Sequence, residues 1–132
     1  MVKLPTVQDF MDTIVHTLSP DTDIIDAVDF LLQKRVTGAP VVLEDQTLVG
    51  ILSEKDCLKL LATGSDNQRP TGKVRDFMTE EVTTIPPTMN VYFVAGMFLT
   101  AAFRRLPVVQ GDKLVGAITR FDILRAIQGN LK

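Results

Sequence analysis

Cysteine and histidine each occur once in this chain, as Cys57 and His16. A single thiol excludes an intramolecular disulfide, and one cysteine with one histidine excludes a zinc site of three or four Cys/His ligands within one chain. A reducing, cytoplasmic setting is expected. Long apolar runs are missing too: the most apolar stretch, 91–103, is broken by Thr100 and followed by Arg104 and Arg105. It is shorter than the roughly 20 residues that span a bilayer. The segment 1–11 has neither the basic start nor the apolar run of a signal peptide. Neither secretion nor a membrane partner is expected. No Gly-x-Gly-x-x-Gly, Walker-type loop or His-Glu-x-x-His is present, so the sequence nominates no catalytic residue, no metal ligand and no required cofactor.

What is present suits a globular chain. Of the 132 residues, 45% are hydrophobic and 23% charged, which excludes disorder as the main state and gives enough length for a real core. The net charge is −2, against generic nucleic-acid binding. It is unevenly spread: residues 1–66 hold 5 basic and 11 acidic side chains, and residues 67–132 hold 9 and 5. The second half is therefore the better host for a small anion.

The chain is a sequence written twice. Val7-Gln8-Asp9-Phe10-Met11 returns as Val74-Arg75-Asp76-Phe77-Met78, and Pro40-Val41-Val42 as Pro107-Val108-Val109, both at an offset of 67. Leu48-Val49-Gly50 returns as Leu114-Val115-Gly116 at 66, so one hairpin turn is shorter by a residue: Glu44-Asp45-Gln46-Thr47 against Gly111-Asp112-Lys113. Helical spacing of Ile24, Ala27, Val28, Leu31 and Leu32 predicts a helix over 23–35, and Cys57, Leu58, Leu60 and Leu61 predict another over 53–61. With an extended run at 14–18, each unit reads as strand, helix, strand, strand, helix. The boundaries are unit 1 over 7–62, a linker over 63–73 and unit 2 over 74–128. A unit this small has a marginal core alone, so the two sheets are expected to pack as one pseudo-symmetric α+β domain.

Both hairpins end in one pattern, Gly50-Ile51-Leu52-Ser53-Glu54-Lys55-Asp56 and Gly116-Ala117-Ile118-Thr119-Arg120-Phe121-Asp122. A hydroxyl three residues before a carboxylate is a helix cap, close to a capping box. The same groups also suit a nucleotide: helix amides and a hydroxyl for phosphate, and an acceptor-only carboxylate for vicinal ribose hydroxyls. Cap and ligand roles are compatible, and the motif alone leaves both open.

Tandem units of this order, with Gly-x-x-Ser/Thr-x-x-Asp after an apolar Pro-Val-Val strand, resemble the CBS domain pair, named for cystathionine β-synthase. The resemblance runs from Val7 to Ile127. It implies two βαββα units about a pseudo-twofold axis, with clefts that in many members bind AMP, ADP, ATP or S-adenosylmethionine, and regulation rather than catalysis. It implies that Asp56 and Asp122 bind ribose, and that Ser53 and Thr119 meet phosphate or ribose. In the γ subunit of AMP-activated protein kinase, the segment similar to Arg104-Arg105-Leu106-Pro107 supplies phosphate contacts, and the one similar to Arg35-Val36-Thr37-Gly38 faces adenine. Arg104 replaces a histidine of that subunit.

The preferred cleft therefore takes Val36, Thr37, Gly38, Arg104, Arg105, Thr119, Arg120 and Asp122, and the other takes Ser53 and Asp56. Cys57 corresponds to apolar Ile123, which suits a core position better than a nucleophile, and His16 corresponds to Thr83. Asp26, Asp29 and Lys55 of the first copy become Phe93, Gly96 and Phe121 in the second. Phe93, Gly96, Met97, Thr100 and Phe121 are the expected homodimer interface. The function expected is a stand-alone sensor of adenosine nucleotides acting in trans on a regulated protein. The alternative is a ligand-independent dimerisation or interaction module whose motifs only cap helices.

Overall fold

The computed structural model describes residues 4–62 and 71–130. Of the linker expected at 63–73, residues 63–70 lie outside the described residues. The chain forms two compact units, His16–Val82 and a second made of Met1–Val15 with Thr83–Lys132.

In His16–Val82 the order is helix α1 (Ile24–Lys34), strands β1 (Gly38–Val42) and β2 (Leu48–Ser53), helix α2 (Glu54–Ala62) and a short helix α3 (Val74–Phe77). Asp23 caps α1, accepting from the amides of Ile25 at 3.0 Å and Asp26 at 3.3 Å. The helix stops at Arg35, whose φ of 55° is left-handed. β1 and β2 pair antiparallel with an irregularity between Val41 and Val42. The turn closes through the Thr47 carbonyl, which accepts from Leu43 at 2.9 Å, while the Asp45 carboxylate takes the Thr47 amide at 3.1 Å. Ile24, Ala27, Leu31, Val41, Leu52, Leu60 and Val74 form the core.

The second unit repeats this plan. A single 3-10 turn (Val7–Asp9) leads, followed by α4 (Val91–Thr100), β3 (Arg105–Gln110), β4 (Lys113–Thr119) and α5 (Arg120–Asn130). Asn90 caps α4 by accepting from the Phe93 amide at 2.9 Å, and Gly111, at φ 66°, makes the shorter turn possible. Its core gathers Val7, Ile85, Val94, Leu106, Val108, Ile118 and Ala126.

One feature differs from the sequence expectation. The opening strand of each unit is reduced to one parallel bridge, Leu18 with Val41 and Ile85 with Val108; Pro20, Pro86 and Pro87 follow closely and do not continue a ladder. The compact units cut the chain elsewhere than the repeat boundaries do. Each repeat's leader, 7–12 or 74–79, belongs to the unit built on the other repeat. The docking bonds match at the repeat offset. Val74 donates to the Thr22 carbonyl and Arg75 to Pro20, at 2.9 and 3.0 Å; Val7 donates to Met89 and Gln8 to Pro87, at 2.8 and 3.0 Å.

Candidate functional site

Each unit brings three pieces of its own chain to one helix start. In His16–Val82, Ser53 ends β2 opposite Gly38, and the Glu54 amide donates to the Thr37 carbonyl at 2.8 Å. The segment Val36-Thr37-Gly38 thus lies beside Ser53 and the first turn of α2. In the other unit Arg105 stands opposite Thr119, which sets Arg104-Arg105 beside Thr119-Arg120. Val36–Gly38, expected together with Thr119 and Asp122, adjoins Ser53 within its own unit. Residues directly opposite across an antiparallel pair share a face, so Arg105 puts a cation next to Thr119. Gly38 leaves the equivalent place beside Ser53 bare. Arg104 and Arg120 are exposed and Arg105 is half-buried.

Both carboxylates are buried, Asp56 at 4% exposure and Asp122 at 8%. Each is a reciprocal cap. Asp56 Oδ2 accepts from the Ser53 amide at 2.9 Å and its hydroxyl at 3.0 Å, and the Asp56 amide donates back to Ser53 Oγ at 3.2 Å. Asp122 Oδ2 accepts from the Thr119 amide and hydroxyl at 2.9 and 3.1 Å, with the return bond at 3.4 Å. Those bonds fill the two lone pairs of Oδ2, so Oδ1 is the oxygen with capacity for a ligand. Asp56 Oδ1 takes the Thr79 hydroxyl at 3.1 Å and Lys59 Nζ at 3.5 Å. Asp122 Oδ1 takes Arg125 Nη2 at 3.2 Å. By that measure Asp122 is the more available acceptor, and it is the one beside the arginines.

Thr79, Lys59 and Arg125 were missed in the sequence, although for Lys59 and Arg125 a signal was there. Lys59 and Arg125 stand three residues after Asp56 and Asp122 in both copies, the spacing at which helix side chains meet.

Cys57 is half-buried against the core of its unit. Burial, and secondarily the Asp56 charge, push its thiol up, which opposes nucleophile activation. His16 is exposed and stacks edge-on against Phe30 at 6.2 Å. The expected interface residues Phe93 and Phe121 are 61% and 68% exposed. Gly96 and Thr100 are exposed as well, and Met97 is half-buried against its own core. Leu99, at 87%, and Leu124 extend the apolar surface, and sequence comparison of the copies did not single them out.

The CBS domain model matches residues 7–63 and 74–129. The chain belongs to the CBS domain family. Among curated CBS relatives, CBSX2 of Arabidopsis thaliana, whose name places it in the chloroplast, is 34% identical over 92% of this chain. MJ1225 of Methanocaldococcus jannaschii is 32% identical over 92%. The chain spans 63% of the length of the first and 42% of the second. The crystal structure of CBSX2 in complex with AMP matches with a TM-score of 0.83 at 35% identity, covering 97% of this chain and 99% of that one. The CBS domain pair of MJ0100, in complex with 5′-methylthioadenosine and S-adenosyl-L-methionine, matches with a TM-score of 0.76 at 27% identity, covering 97% and 99%. Among the described residues, no helix is long and apolar enough to cross a membrane.

Proposed function

We propose that this CBS chain is a regulatory module that binds an adenosine compound at its capped helix starts and passes its occupancy to a partner protein in the cytoplasm. The observation that carries this reading is the pair of buried carboxylates, each presenting Oδ1 beside a hydroxyl and a helix start. The ligands seen with CBSX2 and the MJ0100 pair support an adenosine compound. AMP, ADP, ATP and S-adenosylmethionine are the candidates. Asp122 is the preferred ribose acceptor, with Thr119, Arg104, Arg105 and Arg120 near the phosphate. Ser53 and Asp56, with Val36, Thr37 and Gly38 alongside, make the second, less cationic site.

The module acts as a homodimer in this reading. Helix α4 is apolar on every side: Val91, Val94 and Phe98 face the core, while Tyr92, Phe93 and Leu99 are exposed. A helix of that kind is normally covered, and Phe93, Gly96, Thr100 and Phe121 fit a self-complementary patch.

The competing reading, a ligand-independent interaction module, is favoured by one observation. Both Asp Oδ2 atoms are already spent on caps. Thermal unfolding with a panel of adenosine compounds, and with guanosine and cytidine nucleotides as controls, separates the two. A ligand at a hundredfold excess over its Kd adds about 2.7 kcal/mol, several degrees in a chain of this size. A selective rise supports the sensor, and no rise across the panel supports the interaction module.

A further inference from the structure

The two leaders are docked by the same carboxylates that the sensor reading assigns to ligand. Arg125 Nη2 donates to Asp122 Oδ1 at 3.2 Å and, with the same nitrogen, to the Phe10 carbonyl at 2.8 Å. In the other unit, the Thr79 hydroxyl of the leader itself donates to Asp56 Oδ1 at 3.1 Å. Each leader then pairs with the motif strand. Asp12 exchanges both backbone bonds with Ala117, and Thr79 exchanges both with Ile51, all at 2.9 Å. Leader, cation or hydroxyl, and carboxylate therefore form one chain of contacts in both units, built from different side chains.

We propose that Arg125 and Thr79 are positioning residues that tie each motif carboxylate to its leader, so that a ligand hydroxyl taking Oδ1 loosens the leader. The inference rests on the adenosine-binding reading and adds a conformational output to it. An ionised carboxylate only accepts, and the acceptor positions on one oxygen are few. At Asp56 Oδ1, where Thr79 and Lys59 already take both positions, a ribose hydroxyl displaces one of them; at Asp122 Oδ1 it shares the oxygen with Arg125 and weakens that bond. Linkage makes the competition reciprocal: whatever the ligand subtracts from leader docking, the docked leader subtracts from ligand affinity. The leader suits such an output, because short segments with exposed residues open at lower free energy than core strands; Gln8, Asp9 and Asp12 are exposed. The two units should respond unequally. Both bonds end on a carboxylate, but the Arg125 donor carries a charge of its own and the Thr79 hydroxyl is neutral.

Amide hydrogen exchange on the whole chain tests this, with AMP and adenosine as probes and calorimetry on the same samples. The Asp12 and Thr79 amides report leader docking, and the Val109 amide of β3, bonded to the buried Ile85 at 2.9 Å, serves as a reference outside the leaders. Saturating AMP is expected to raise exchange at the leader of the occupied unit by about tenfold or more relative to Val109, the factor that losing one charge-assisted bond implies. Arg125→Met should raise Asp12 exchange without ligand and abolish the further response to AMP, and Arg125→Lys should restore that response in part. A purely structural Arg125 predicts the basal rise and an undiminished AMP response. Binding seen by calorimetry with both leader amides unchanged overturns the inference and leaves the adenosine reading standing. No binding of either probe overturns both. The wild-type response carries the test even if Arg125→Met lowers the fold's stability.

Discussion

Met11 lies so close over Gly116 that a Cβ at that glycine would stand 2.6 Å from its sulfur and 2.9 Å from the Asp12 carbonyl oxygen. Met78 and Thr79 crowd Gly50 in the same way, at 2.8 and 2.9 Å. The glycine that opens the Gly-x-x-Ser/Thr-x-x-Asp motif is thus the place where a leader lies against the strand. The methionine can swing away, but the carbonyl is held by its bond from Ala117.

Gly116→Ala should therefore destabilise the unit, by roughly 1–3 kcal/mol as overpacking does, and raise exchange at the Asp12 amide. Denaturant unfolding of the variant checks the first part. An unchanged midpoint would show that the leader yields freely at that point.

Asp122→Ala removes the acceptor of the Thr119 amide and hydroxyl and of Arg125. It should cost about 1–2 kcal/mol of stability, as the loss of a good cap does, and reduce adenosine-compound affinity by more than about tenfold, as losing hydrogen bonds to a charged group implies. Thr119→Ala should show a smaller loss of both. Calorimetry on variants confirmed folded by circular dichroism measures it.

Phe93→Glu should halve the solution mass at micromolar concentration. The side chain is 61% exposed within the chain, so the charge breaks an interface between copies without entering a core. Light scattering after size exclusion gives the answer, and a one-chain mass for the unsubstituted protein, or an unchanged mass for the variant, would contradict the proposed interface.

The Cys57 thiol, raised by burial and by Asp56, holds its proton more firmly folded than unfolded. Its contribution to stability is fully present below the unfolded thiol's pKa and is lost as pH rises through the folded one. Cys57→Ala should flatten that alkaline decline. At neutral pH, iodoacetamide should label native Cys57 more slowly than a free thiol; faster labelling would point to an activated cysteine.

Much of this was legible in the sequence because the copies check each other. The α1 helix and both hairpins follow directly from apolar spacing and turn residues, and the paired motif marked Asp56 and Asp122 before any contact was known. The leaders were seen as a repeat, but not as docked parts: a repeat offset says that Val7 and Val74 are equivalent, not which sheet each one joins. Pairing across long stretches of chain is decided by packing. Thr79 and the contact of Arg125 with Phe10 were missed for the same reason, whereas the bond of Arg125 to Asp122 lay at a readable helical spacing. Arg125 reaches Phe10 across 115 residues, beyond any local pattern.

Binding of an adenosine compound at the capped carboxylates is tested by a two-dimensional amide spectrum of the whole chain titrated with AMP and with S-adenosylmethionine. Saturable shifts are expected at Thr119, Arg120 and Asp122, with Ser53 and Asp56 following at higher concentration. Shifts confined to residues elsewhere, or none with either compound, would contradict it.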